Sequence, residues 1–242
     1  GFFLGLLLHA QRNTRVPVHR VMTGMQISSN CSRSRQETLA LQKVGAKIKV
    51  FELDSHQYFG SADVLNDCLR TRMLDCNFAI LDWTYVHNID TSIALMLARL
   101  EKWACTTGIS LLHAGSEEQG PALRALLSQY LPSAQFFQDL DRALETAENS
   151  LLENEALITA CSQDVELDDA GLLRGLSSQE RLELKLRMTS IIFESGEVLI
   201  EKGEPSDFIL LIHEGVGSVV LNGRSPHAKR LAGVRSGALV GE

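Results

Sequence analysis

The middle of the chain alternates between short apolar runs and apolar stripes with helical spacing. Four short runs predict buried strands: residues 48–53, 78–81, 109–112 and 135–137. Between them, apolar residues recur on one helix face, and the clearest stripe comprises Ile93, Met96, Leu97, Leu100, Trp103 and Ala104. Strands that alternate with helices favour a mostly parallel sheet covered by helices. We therefore predict an α/β domain over residues 47–151.

Polar residues with capping chemistry predict where the helices of this domain begin. Ser61 is expected to cap the first, and Asp90 or Thr91 the second, because their side-chain oxygens can accept free backbone N–H groups. Pro121 suits the first turn of a third helix, and Asp139 precedes a fourth.

The C-terminal part of the chain has a different pattern. A helix capped by Ser177 or Ser178 is followed by short apolar segments that predict strands: 197–201, 208–213, 217–221 and 229–232. Glycines recur between these segments at intervals of about ten residues, which is typical of an antiparallel barrel or roll. We predict a partial all-β roll over residues 171–242, joined to the α/β domain by an acidic linker at 152–170.

Charge is distributed unevenly along the chain. The net charge is −7, yet residues 1–47 contain seven Lys or Arg and one acid. The rest of the chain is acidic and has no broad basic face, which argues against a nucleic-acid partner. The five cysteines are scattered without a Cys-x-x-Cys pair, so we expect a reducing compartment and no structural zinc.

The first ten residues are nearly all apolar and are followed at once by arginines and histidines. Ten helical residues span roughly 15 Å, about half of a bilayer core. We interpret residues 1–10 as the end of a longer membrane helix, with residues 11–46 as a basic juxtamembrane linker in the cytosol. A core helix or a signal-peptide remnant are the alternatives, although a signal peptide carries its charge before the apolar run. Since the chain begins with Gly1, we expect a piece of a longer protein.

No catalytic motif stands out in the sequence, and we predict a protein that is not an enzyme and has no metal. Asp82 follows a predicted strand, where sites of α/β enzymes gather, but it has no obvious partner. An enzyme that uses this sheet remains an alternative, to be recognised by a turnover that depends on Asp82.

Three segments of the α/β domain carry a resemblance to a known family. They are Tyr58-Phe-Gly-Ser-Ala62, Phe78-Ala-Ile-Leu-Asp82 and Val86-His-Asn-Ile-Asp-Thr-Ser92. Residues 47–151 resemble a STAS domain, the module shared by sulfate-permease-type anion transporters and bacterial anti-sigma-factor antagonists. The apolar start of the chain resembles the junction in sulfate permeases (the SulP family), where the last membrane helix meets this domain.

This resemblance implies a functional loop. In signalling members a Ser or Thr after the Asp of this loop is phosphorylated to control partner binding, and Thr91 stands at the matching position. We therefore expect Asp90, Thr91 and Ser92 to contact a partner and to include a phospho-switch. The alternative is that Asp90 or Thr91 only caps the helix. Ile93 stands where the family usually has glycine, which weakens the switch interpretation.

The C-terminal segment resembles the cyclic-nucleotide-binding domain family in three places. These are Phe193 to Asp207, Ile212 to Val219, and Val240-Gly241-Glu242. In that family the final Gly-Glu opens the phosphate-binding cassette, so Gly241 and Glu242 are the expected remnant of a nucleotide site. The Arg that pairs with the cyclic phosphate would follow Glu242, so this chain is not expected to bind cyclic nucleotide well. For the full-length parent, a bound cyclic nucleotide and a domain of the same shape without a ligand are equal alternatives.

Taken together, the two resemblances imply the cytosolic regulatory region of an anion transporter. It would mediate dimer and partner contacts, associate with its own transmembrane domain, and couple cytosolic signals to anion transport. The alternative is a soluble signalling protein of the anti-sigma-antagonist type that combines a STAS switch with a nucleotide sensor.

Overall fold

The computed structural model describes residues 17–33, 35–54, 56–57, 59–115, 121–154, 175–203, 207–221, 223 and 229–241. The membrane-helix interpretation of residues 1–10, most of the acidic linker and Glu242 lie outside these residues. The helices are α1 (Arg35–Val44), α2 (Phe59–Met73), α3 (Thr91–Thr106), α4 (Pro121–Tyr130), α5 (Leu140–Asn154) and α6 (Ser178–Arg187). The strands are β1 (Val18–Thr23), β2 (Ile48–Leu53), β3 (His56–Gln57), β4 (Phe78–Asp82), β5 (Asn88–Ile89), β6 (Ser110–Ala114), β7 (Gln135–Phe137), β8 (Leu210–Leu211), β9 (Val216–Leu221), β10 (Lys229–Arg235) and β11 (Leu239–Val240).

The chain divides into two compact units. The first contains residues 1–29 and 41–151, and the second contains residues 30–40 and 152–242. No helix in the described part of the chain is both long and apolar enough to span a bilayer.

A five-stranded sheet in the order β1-β2-β4-β6-β7 forms the centre of the first unit. Strands β2, β4, β6 and β7 are parallel, and β1 joins the edge antiparallel to β2. The parallel strands follow one another in chain order, so the sheet has no point at which the order reverses. Because parallel connections are right-handed, the helices that join these strands must lie on one face.

Two hydrophobic cores lie on opposite faces of this sheet. Helices α2, α3 and α4 cover one face, where they bury the side chains Leu65, Leu69, Ile93, Leu97, Leu100, Leu123 and Leu127 against Phe51, Leu53, Ala79, Leu81 and Leu111. Helix α5 covers the other face with Ala143, Leu144, Ala147 and Leu151 against Ile48, Val50, Ile80 and Leu112. Alternate residues of each strand point to opposite faces, which explains why nearly continuous apolar runs are needed. The predicted α/β architecture is confirmed.

The structure differs from the sequence-based expectation at two places in the first half of the chain. Residues 17–46, expected to belong to a linker, contain strand β1, helix α1 and the start of a 3-10 turn at Gly45–Lys47. Their basic side chains suggested a linker, but Val18 and Met22 are buried, and the sheet supplies hydrogen-bond partners that the local sequence does not reveal. Helix α2 begins at Phe59, so Ser61 lies inside the helix and not at its cap.

The second unit contains two small antiparallel ladders, β9 with β10 and β8 with β11. Residues 30–32 add to β10: the Ser32 amide donates to the Gly233 carbonyl at 2.8 Å, and the Gly233 amide donates to the Asn30 carbonyl at 3.1 Å. Helix α6 has the predicted capping box, in which Ser177 and Glu180 bond each other's backbone.

The predicted all-β roll is not confirmed. Residues 197–201 form no strand, and the strand expected at 208–213 is reduced to Leu210–Leu211. Among the described residues from 175 onward, Ala238 is the one buried hydrophobic side chain, whereas Ile192 is 92% exposed. Strands pair stably only when one face is buried, and the described residues of this unit supply no such core.

Candidate functional site at the start of helix α3

Helix α3 begins at an aspartate cap. Asp90 has extended backbone geometry, and its Oδ1 accepts hydrogen bonds from the Ser92 and Ile93 amides at 2.9 and 3.0 Å. These amides have no partner inside the helix, so the carboxylate satisfies two donors at the positive end of the helix dipole. Asp90 therefore caps helix α3, and this observation does not decide between a cap alone and a cap beside a switch.

Thr91 and Ser92 occupy the first two helical positions and differ in surroundings. Thr91 is exposed, whereas Ser92 is partly buried and lines a groove between α2 and α3. Successive helix positions are rotated by about 100°, so the two hydroxyls lie on different faces. Ile93 is fully buried in the core, which fixes the first turn against the sheet.

A short parallel ladder brings the starts of α2 and α3 together. His56 pairs with Asn88 and Gln57 with Ile89, immediately before the two helices. Each helix follows a strand of the parallel sheet, so α2 and α3 run in the same direction side by side.

The groove between these two helices has a volume of about 420 Å³ and is open to solvent; its lining residues are Ala62, Asp63, Asn66, Arg70, Ser92, Leu95, Met96 and Arg99. Met96 is buried, and Leu95 is 45% exposed. The Arg70 guanidinium carbon lies 5.0 Å from the centre of the Trp103 ring, which holds this cation by a cation–π contact. The Arg70 Nε is buried and has no hydrogen-bond partner within the part of the chain that the structure describes. The groove therefore combines apolar surface with two arginines, a feature that the sequence pattern did not single out.

Asp82 has a structural role at the end of β4. It is 5% exposed, and its Oδ1 accepts from the Thr84 amide at 2.9 Å and from the Thr84 hydroxyl at 2.6 Å. Gly115 lies against this turn, where an added Cβ would stand 2.5 Å from the Thr84 hydroxyl oxygen. Ligand sites at the carboxyl edge of an open sheet form where the strand order reverses, and this sheet has no such reversal.

A buried histidine lies beneath α3. His113 is fully buried, and its Nδ1 accepts a hydrogen bond from the Trp83 indole Nε1 at 3.1 Å. An indole N–H can only donate, so the neutral ring carries its proton on Nε2, which faces the Glu101 carboxylate at 3.7 Å. Phe136 packs on the ring with centroids 5.0 Å apart. His113 is thus packed among aromatic side chains, and its buried Nε2 has no hydrogen-bond partner among the described residues.

The described residues contain no group of three or more His, Cys, Asp or Glu side chains that could hold a metal ion.

The Cys76 thiol donates to the Met73 carbonyl at 3.1 Å, and burial raises its pKa to about 11. A thiol with such a pKa is protonated at neutral pH and is a poor nucleophile or ligand.

Gly241, expected to belong to a nucleotide site, lies just after β11. Its φ is +113°, and an added Cβ would lie 2.8 Å from the Phe208 carbonyl oxygen. Glycine is therefore required here by the backbone alone. Glu242 lies outside the described residues, so the nucleotide-site expectation for this pair stays a prediction.

No protein-family profile matches the chain. Glutaminase 2 and glutaminase 1 of Bradyrhizobium diazoefficiens are each 24% identical to it, over 218 and 213 residues that cover 89% and 87% of this chain. The match covers 34% of each of them, so the chain spans about a third of the length of these curated relatives. The prediction of a protein that is not an enzyme is contradicted by this finding. It rested on motifs within this chain, whereas two thirds of each relative lies outside the match.

Three solved structures resemble parts of the chain. A sulfate transporter family protein from Wolinella succinogenes is 23% identical, with 46% of this chain and 91% of that chain covered, and a TM-score of 0.39. RsbS from Moorella thermoacetica is 14% identical, with 43% and 90% covered and a TM-score of 0.38. SLC26A9 is 16% identical, with 63% and 27% covered and a TM-score of 0.42. TM-scores below 0.5 do not establish a shared fold.

Proposed function

We propose that the α/β unit is a STAS-type regulatory module that contacts a protein partner through the start of helix α3. The observation that carries this proposal is the arrangement of Asp90, Thr91 and Ser92. Asp90 caps the helix, and Ile93 anchors its first turn in the core, so Thr91 is presented to solvent at a fixed position between them. A rigid, exposed helix start beside an open groove is a suitable contact surface.

We infer that phosphorylation of Thr91 would switch this contact. A phosphate adds nearly two negative charges at neutral pH. The positive end of the helix dipole at the start of α3 would tolerate that charge locally, whereas a partner shaped for a neutral hydroxyl would be repelled. The exposed position of Thr91 allows the modification without disturbing the core.

Two kinds of parent protein are supported by different observations. The apolar residues 1–10 and the basic cluster after them favour a dimeric sulfate-permease-type anion transporter, with this region on the cytosolic side of its transmembrane domain. The match to glutaminases, which extends over both units of the chain, favours a larger enzyme that carries the same regulatory region. In either parent, the module would act on an activity located elsewhere in the protein.

The experiment uses the full-length natural protein and measures two activities: anion uptake into proteoliposomes and glutamate release from glutamine. Thr91→Glu imitates the phosphate, Thr91→Ala removes the hydroxyl, and Ser128→Glu adds the same charge at an exposed position of α4. We expect Thr91→Glu to change whichever activity is present several-fold, while Ser128→Glu leaves it at the wild-type level. Equal activities of the two glutamate variants would refute the proposal. The activity that is found identifies the parent.

A further inference from the structure

We propose that the groove between α2 and α3 is an oxyanion-binding site, in which Arg70 and Arg99 hold a phosphate, sulfate or carboxylate group. The site adjoins the proposed partner surface at Ser92, but it does not require that surface to bind a protein.

The first argument is the charge of the groove. Arg70 and Arg99 both line it, and among the described side chains no carboxylate lies within 4.0 Å of either guanidinium. Asp63 is the one acid in the lining, and it lies seven residues before Arg70 on the same helix, about 10 Å along the axis. Two cations without an ion pair in one concave surface attract an anion.

The second argument is that Arg70 is already positioned. Trp103 holds its guanidinium at 5.0 Å, and its Nε is buried without an acceptor. A guanidinium presents parallel N–H donors in a fixed plane, which match two oxygens of one oxyanion. An oxyanion in the groove would accept from the guanidinium N–H groups that line it, since the Nε itself is shielded from solvent.

The third argument comes from the spacing on α3. Ser92 and Arg99 are seven residues apart, so they lie on nearly the same helix face, and helical side chains lean toward the N-terminus. Arg99 therefore leans along the groove toward the Ser92 hydroxyl. Leu95 and Met96 lie between them and provide apolar surface. The groove is larger than a free oxyanion, so it can also accept an oxyanion attached to an apolar group.

The test is a titration of the isotope-labelled full chain, followed by NMR of the backbone amides and the Arg70 side-chain Nε–H. The probes are inorganic phosphate, sulfate, acetate and phenyl phosphate, with sodium chloride at the same ionic strength as the reference. We expect saturable shifts at Arg70, Ser92 and Met96 with the oxyanions. Tighter binding of phenyl phosphate than of phosphate would indicate an oxyanion carried by a larger molecule, and equal binding would indicate a free anion.

Variants separate specific binding from general ionic effects. Arg70→Gln and Arg99→Gln should each weaken phosphate binding about tenfold or more, as expected when a charge-assisted pair is lost. Arg142→Gln removes an exposed arginine of α5, on the other face of the sheet, and should leave the affinity unchanged. Arg70→Gln also removes the cation–π contact with Trp103, and loss of this contact could disturb folding. Arg99 is exposed, so Arg99→Gln provides a second test that does not depend on that contact. Absent shifts, or shifts that persist in both groove variants, would overturn the proposal.

Discussion

Replacing Asp90 by alanine tests how the start of α3 is built. The change leaves the Ser92 and Ile93 amides without their acceptor, and these bonds measure 2.9 and 3.0 Å. Loss of an N-cap costs about 0.5–2 kcal/mol, and two bonds place this site in the upper half, at about 1.5 kcal/mol. Water can reach the exposed helix start and replace part of the loss, which argues against a larger value. For a unit of this size the melting temperature should fall by about 3–6 °C.

Asp90→Asn is the matched control. The amide oxygen keeps the geometry of the cap, while the charge that interacts with the helix dipole is lost, at a cost of about 0.3–1 kcal/mol. We therefore expect the order of stability to be wild type, Asp90→Asn, Asp90→Ala. The same two variants also test the proposed switch. If partner binding is measured with both, a loss in Asp90→Ala alone would be due to the cap, whereas a loss in both would be due to the charge of Asp90.

The assay is urea unfolding followed by tryptophan emission. Both tryptophans of the chain, Trp83 and Trp103, belong to the α/β unit, so the signal reports on that unit even if the second unit unfolds separately. Two results would refute the reasoning. An Asp90→Ala variant within about 0.3 kcal/mol of wild type would mean that the carboxylate does not cap the helix, since that is below the range for any N-cap. An Asp90→Asn variant as unstable as Asp90→Ala would mean that charge alone matters.

Three further predictions concern other parts of the chain. Glu148→Gln should lower the free energy of unfolding, measured in urea, by about 1–3 kcal/mol. The reason is that the Glu148 carboxylate accepts from both the Ser29 amide and the Ser29 hydroxyl. An unchanged free energy of unfolding would contradict this. Gly115→Ala should lower the free energy of unfolding by at least about 1 kcal/mol more than Gly108→Ala. Both glycines have φ near +75°, but only at Gly115 would an added Cβ stand 2.5 Å from a hydroxyl oxygen. Equal decreases in the two variants would exclude this close approach as the cause. Hydrogen bonds from the backbone and side chain of its N-cap residue lower the pKa of Glu180. The stability that these bonds give helix α6 is complete above the unfolded-state pKa of Glu180 and is lost as pH falls through the lowered folded-state pKa. An NMR titration of the Glu180 carboxyl would detect the lowered pKa, and titration at the ordinary value would contradict the prediction.

The elements predicted from sequence were those whose signals are local. The apolar stripe on α3 is buried as predicted, apart from the partly exposed Trp103, and the helix is capped by Asp90. Both could be predicted because helical periodicity and capping depend on residues close together in the sequence. Strand β1 was not predicted because it is stabilised by pairing with β2, which lies some thirty residues later in the chain. The strand expected at 197–201 had an apolar pattern but finds no partner among the described residues.

The groove could not be predicted for a related reason. Periodicity tells which face of α2 or α3 is buried, but not which helix lies beside it. Arg70 and Arg99 are 29 residues apart, and each is an ordinary residue for the polar side of an amphipathic helix. They come together because the strand order of the sheet places both helices on one face. A sequence-level signal for such a pair would require the topology first.

The two proposals can succeed or fail independently, because of where their charges lie. Thr91 and Arg99 are eight residues apart, about 12 Å along the axis of α3, which exceeds the screening length of about 8 Å at physiological ionic strength. Thr91 is also turned by about 100° from Ser92, which lines the groove. A negative charge on Thr91 should therefore change oxyanion affinity by about twofold at most, since screened surface charges interact weakly. If Thr91→Glu abolished oxyanion binding instead, the helix start and the groove would form a single site, and the switch would act by occupying it.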